Sequence, residues 1–72
     1  MKEKELLYKL GQRIKTLRDE KSWTLRDLED YAEIDNSDLS KYESGNVDIR
    51  FTTLYKLSQA LGVKLTDLVD FE

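Results

Sequence analysis

The chain has 72 residues, enough for one domain with a small core, since a chain of this size buries only about 60% of the surface its unfolded form exposes. It has no cysteine and no histidine, which excludes disulfides, thiolate metal sites, and the commonest general base and zinc ligand. Hydrophobic residues make up 39%, which argues against disorder, and the net charge of −3 gives no compositional pointer to nucleic acid.

The first ten residues, MKEKELLYKL, are mixed in charge and lack the apolar region of a secretory signal. No apolar run exceeds three residues, so no membrane span is expected, and a cytoplasmic location is the expectation. The absence of proline and the presence of only three glycines predict helices joined by short turns. Leu7, Leu10, Ile14 and Leu17 recur at helical spacing and predict a first helix from about Glu5 to Glu20. Gly11 inside it is expected to mark close packing of a neighbour.

Thr24 is a good N-cap for a second helix. Asp27, three residues on, offers a weak capping box. Leu28 and Ala32 should face inward and Leu25 should lie at the edge, with Trp23 and Leu28 placed as a hydrophobic staple. The second helix should end near Ala32 or Glu33. After a turn of about three residues, Asp35 or Asn36 caps a third helix that runs to about Ser44, and Gly45 closes it in the left-handed conformation. A fourth helix should span Phe51 to Leu61 with Phe51, Leu54, Leu57 and Leu61 on one stripe, ended by Gly62 with Val63 folding back. The segment KLTDLVDF predicts a last short helix with Leu65 and Leu68 inward. The sum is an all-α, compact five-helix domain over residues 1–72.

Two helices joined by so short a turn cross steeply, and the unit over about residues 24–44 has the form of a helix-turn-helix. The run RIKTLRDEKSWTLRDLEDYAEIDNSDLSKYESG, followed by TLYKLSQALGVKLTDLV, resembles the phage repressor/Cro type (XRE-like) helix-turn-helix family from Leu10 to Val69. The resemblance implies a repressor-type fold and a sequence-specific regulator of transcription that reads the major groove of double-stranded DNA with the helix at about 36–44. It places base contacts at Asn36, Ser37 and Lys41, with Ser40 on the same helix. Phosphate contacts fall at Thr24 and its neighbour Arg26, and at Asn46, Arg50 and Thr52. It also implies a buried pair between Arg18 and Glu43 that ties the first helix to the third. At position 33, where glycine is common in the family, Glu33 would need a positive φ.

The side-chain chemistry agrees. Asn36 can pair bidentately with an adenine edge, Ser37 can serve any base, and Lys41 suits guanine or a phosphate. Helix N-termini offer N–H groups and a positive dipole end to anions at Thr24 and Asn46. One such unit reads a half-site, which points to a homodimer on palindromic DNA. Val69 and Phe71 extend past the last core leucine, and either they form its interface through the C-terminal helix or Phe71 folds back on its own helices. Tyr31 and Tyr55 are expected to serve packing or a dimer surface.

Charge distribution favours a second reading. Residues 24–44 hold two bases (Arg26 and Lys41) and seven acids, a net of −5, whereas residues 1–21 carry a net of +3. An acidic helix-turn-helix module that binds a protein, as an antitoxin-like or regulatory subunit does, would have the same pattern with weak or no DNA binding. The carboxylates lack a pocket or partner base for catalysis, and DNSD lacks the spacing and glycine of a calcium loop. No enzyme activity, no cofactor, no metal and no small-molecule ligand is therefore expected.

Overall fold

In the computed structural model, which describes residues 2–71, an 18-residue amphipathic helix sets the frame. This helix, α1 (Glu3–Glu20), starts two residues earlier than its apolar repeat predicts, with Glu3 and Glu5 in the first turn and Arg18 in the last, charges that complement its dipole. Its inward face is Leu10, Gly11, Ile14 and Leu17. Then follow α2 (Leu25–Ala32), α3 (Asn36–Ser44), α4 (Phe51–Leu61) and the single turn α5 (Leu65–Leu68). The fold is all-α, with no strand among the described residues.

Each boundary has a local cause. Thr24 and Asp27 form a complete capping box: Asp27 N–H donates to Thr24 Oγ1 at 3.1 Å and Thr24 N–H donates to Asp27 Oδ2 at 2.8 Å. The shorter Asp thus closes the box as fully as a Glu would. Glu33 ends α2 at φ 57°, and its N–H donates to Glu29 O at 2.8 Å, the single-bond left-handed cap. A left-handed non-glycine costs about 1 kcal/mol or more, so this turn is strained. Gly45 at φ 75° and Gly62 at φ 71° close α3 and α4 with Schellman bonds, Asn46 N–H to Lys41 O and Val63 N–H to Ser58 O.

One continuous core forms from Leu10, Ile14, Leu17, Leu28, Ala32, Leu39, Leu57, Leu61 and Leu68. The fourth helix departs from its predicted stripe. Leu57 and Leu61 are buried and Leu54 is half-buried, but Phe51 is 70% exposed. Phe51 is the first residue of α4, rotated away from the Leu57–Leu61 side, and Ile49 from the preceding loop packs against the core instead. Trp23 packs against the core and also stacks on Tyr31, with ring centroids 4.4 Å apart and planes 9° apart, while Lys21 Nζ lies 5.0 Å from the Trp23 ring. Tyr31 is 63% exposed, so its role is to cover Trp23 rather than to fill the core.

Two contacts fix α3 against α1. A Cβ on Gly11 would overlap the carbonyl oxygens of Tyr42 and Glu43, so only glycine lets the helices approach so closely. The second is ionic. Arg18 Nε donates to Glu43 Oε2 at 2.7 Å and Nη2 donates to Oε1 at 2.9 Å, a bidentate pair whose side chains are 11% and 9% exposed. Arg18 Nη1 donates to Trp23 O at 2.6 Å and lies 3.4 Å from Asp19. The hydrogen bonds to Glu43 raise the Arg18 pKa above the ordinary guanidinium range, against the opposing effect of burial. The guanidinium thus links the end of α1, the entry to α2 and the end of α3.

Candidate nucleic-acid interface

Helix α3 has two faces set by its sequence. Leu39 and Glu43, four residues apart, are buried, and Tyr42 packs half-buried against the core. Ser37, Ser40, Lys41 and Ser44 fall at the opposite spacing and are exposed, together with Asp38. The outward face therefore carries short hydroxyls and one long cation. It has no apolar side chain, which suits a surface that meets hydrogen-bonding groups in a groove.

Asn36 opens α3 and is half-buried. Its backbone N–H donates to Glu29 Oε2 at 3.2 Å and its Nδ2 donates to Glu29 Oε1 at 3.1 Å. Glu29 projects from α2 across the turn, so one carboxylate binds the first residue of the next helix twice. Asp35 is the N-cap residue, accepting the Ser37 N–H at 3.1 Å. The Ser37 hydroxyl remains outward, and Ser44 Oγ donates to Lys41 O at 3.0 Å.

The flanking residues predicted to meet phosphate are all exposed: Thr24 and Arg26 at the start of α2, Asn46 after α3, and Arg50 and Thr52 at the start of α4. Their backbones differ in what they can offer. The Thr24 N–H is held by Asp27, and the Asn46 N–H closes α3. An anion at these two positions would meet side chains and not those amides. At α4 no side chain caps the helix at Arg50, so its first N–H groups stay open beside a cation.

Glu29 is the residue that sequence reasoning missed. Its signal was an acid seven positions before Asn36 on a helix known to cross α3, but spacing alone does not say which side chains meet at a crossing. Elsewhere, an apolar groove of about 530 Å³ lies between the first turns of α1, the loop before α4 and the C-terminus, lined by Leu6, Ile49, Leu54, Val69 and Phe71 among others. Val69 is 43% exposed, whereas Phe71 folds back against the core. Among the described residues, no cluster of three or more Asp, Glu, His or Cys could hold a metal ion, and no helix is long and apolar enough to cross a membrane.

A pair of helices joined by a short turn, α2 and α3, supported by the other three and with a polar outward face on the second, is the arrangement of a helix-turn-helix DNA-binding regulator. The chain belongs to the helix-turn-helix domain family, whose sequence model matches residues 11–71, and it is of the XRE-like type. It is similar to the restriction-modification controller protein C.AhdI from Aeromonas hydrophila, at 29% identity over 86% of this chain and 94% of that one, with a TM-score of 0.83. It is similar to the clp gene regulator ClgR from C. glutamicum, at 28% identity over 89% of this chain and 83% of that one, TM-score 0.83. A hypothetical transcription factor, NHTF from Neisseria, is 25% identical over 96% of this chain and 79% of its own, TM-score 0.85. No curated protein sequence matches the chain significantly.

Proposed function

We propose that this regulator reads a specific double-stranded DNA sequence by laying α3 in the major groove, with Asn36, Ser37, Ser40 and Lys41 toward base edges. The observation that carries the reading is the division of α3: Leu39 and Glu43 are locked into the fold while Ser37, Ser40 and Lys41 stand exposed together. The strongest phosphate anchor is the start of α4, where open N–H groups adjoin Arg50 and Thr52. Thr24, Arg26 and Asn46 add side-chain contacts to the backbone. Two copies bind a palindromic site as a homodimer that covers the apolar groove at the C-terminal side, where Val69 is exposed. Such a protein works beside the DNA, in the cytoplasm.

The acidic balance of residues 24–44 shapes the expected binding. Few cations face the duplex, so few counterions are released, and the slope of log affinity against log salt should be shallow, about −2 to −4 per protomer. The test is selection of bound duplexes from random DNA, followed by titration of selected and scrambled duplexes at several salt concentrations, with sedimentation of the free and bound protein. Recovery of a two-fold symmetric site with a shallow slope supports the reading. No enrichment of any sequence, and no binding even at low salt, refutes it.

A further inference from the structure

We propose that Glu29 is a positioning residue for base readout, which holds the Asn36 amide with its acceptor–donor edge turned outward for an adenine. This rests on the reading of α3 as the base-contacting helix. The Glu29 carboxylate accepts from both the backbone N–H of Asn36, at 3.2 Å, and its Nδ2, at 3.1 Å. A carboxylate only accepts, so the nitrogen of the amide must face Glu29 and the flip of the side chain is fixed.

The geometry goes further. Nδ2 carries two hydrogens, one directed back toward the main chain and one on the side of Oδ1. A carboxylate that also grips the residue's own backbone N–H approaches from the main-chain side and takes the first hydrogen. Oδ1 and the second hydrogen remain as a pair. That pair is the edge that accepts from adenine N6 and donates to adenine N7 in the major groove. Asn36 is only half-buried, so part of the residue is open to solvent. A lone surface asparagine would sample both flips and several rotamers and would lose that freedom on binding. Glu29 removes this cost in advance. The neighbouring capping bond, Ser37 N–H to Asp35, leaves Asn36 untouched, so Glu29 is the group that orients it.

The experiment uses duplexes selected from random DNA by the full chain. Asn36→Ala first locates the base pair that Asn36 reads, as the position whose preference it abolishes. Glu29→Ala should then lower preference for adenine at that same position by about tenfold, within the range a bidentate contact supplies. Affinity for scrambled duplex should stay level or rise, because a negative charge has gone. Glu29→Gln keeps one accepting oxygen and should restore part of the preference. Replacing that adenine by 7-deazaadenine, which lacks the N7 acceptor, should weaken the wild type strongly and Glu29→Ala little. In an Asn36→Ala background, Glu29→Ala should change no preference at all.

A purely structural cap predicts otherwise: Glu29→Ala would lower the melting temperature and affinity for every duplex together, with adenine preference retained, and that result overturns the proposal. If Asn36→Ala leaves every base preference intact, the proposal falls as well. The groove-reading function is decided separately, by whether the full chain enriches any duplex from random DNA.

Discussion

Replacing Glu43 by Gln isolates the ionic lock between α1 and α3. Gln is nearly isosteric, so no cavity opens and the loss is confined to charge and hydrogen bonding. In the wild type the Arg18 guanidinium is 11% exposed and donates twice to Glu43, once to Trp23 O, and lies near the exposed Asp19. Removing one partner from a buried pair costs about 3–5 kcal/mol when the remaining charge has nothing else. Here the Trp23 carbonyl and Asp19 remain, and Gln can still accept one bond, so a smaller loss, about 2–3 kcal/mol, is the expectation. A domain of this length has a total stability of roughly 4–11 kcal/mol, so the variant should melt about 10–20 °C lower. Urea unfolding followed by the fluorescence of Trp23, whose carbonyl belongs to the same network, gives the number. The charge-free double variant Arg18→Met with Glu43→Leu should cost less than Glu43→Gln alone, because no buried charge is left. A denaturation midpoint unchanged in Glu43→Gln, or a double variant less stable than the single, refutes the assignment of the lock to charge pairing.

Three further outcomes follow from single contacts. Gly11→Ala raises helix propensity by about 1 kcal/mol, yet its Cβ would overlap the Tyr42 and Glu43 carbonyls, so a net loss of about 1–2 kcal/mol is expected in the same urea assay; a gain in stability would show that α1 and α3 are not in close contact. Glu33→Gly relieves a left-handed residue at φ 57° and should stabilise by about 0.5–1 kcal/mol, read as a higher midpoint with an unchanged m-value; a lower midpoint contradicts the strained turn. Lys41→Ala should lower affinity by about 1–3 kcal/mol and relax preference at one base pair if the lysine meets a guanine, or reduce affinity evenly and the salt slope by about one if it meets phosphate; unchanged binding in both respects removes Lys41 from the interface.

What was legible in the sequence was mostly local. Thr24 with Asp27, Asp35, Gly45 and Gly62 set helix ends through side chains and backbones within a few residues of one another, and the ends of α2, α3 and α4 follow from them. The positive φ of Glu33 was legible through the family resemblance, since glycine is common there in the family. Gly11 announced a close approach without naming what approaches, since that depends on the crossing of α1 over α3. Of the contacts between helices, the Arg18–Glu43 pair was legible through the family resemblance, and the others were not. Glu29 meets Asn36, and Trp23 stacks on Tyr31, only because of helix orientation. Phe51 misled because apolar spacing is a property of a helix interior, and its first residue can turn away where a loop residue takes the core.

The acidity of residues 24–44 is reconciled with DNA recognition once each carboxylate is located. Of the seven, Glu43 neutralises Arg18, Asp27 caps α2, Asp35 caps α3, and Glu29 binds the Asn36 main chain and side chain. Glu43, Asp35 and Glu29 hold α3 in place, and Asp27 fixes the start of α2. The other three, Asp30, Glu33 and Asp38, are exposed, and only Asp38 lies in α3. Carboxylates at helix N-termini satisfy amide donors that phosphates would otherwise meet, so the unit gives up sequence-independent affinity at α2 and α3. What it keeps is a rigid polar face that pays little ordering entropy on binding. On the proposed reading, discrimination falls to base edges and general attraction to the open start of α4 with Arg50. Neutralising Asp38 should therefore tighten binding to all duplexes alike, whereas neutralising Glu29 should erode discrimination, although both remove one negative charge from the same unit.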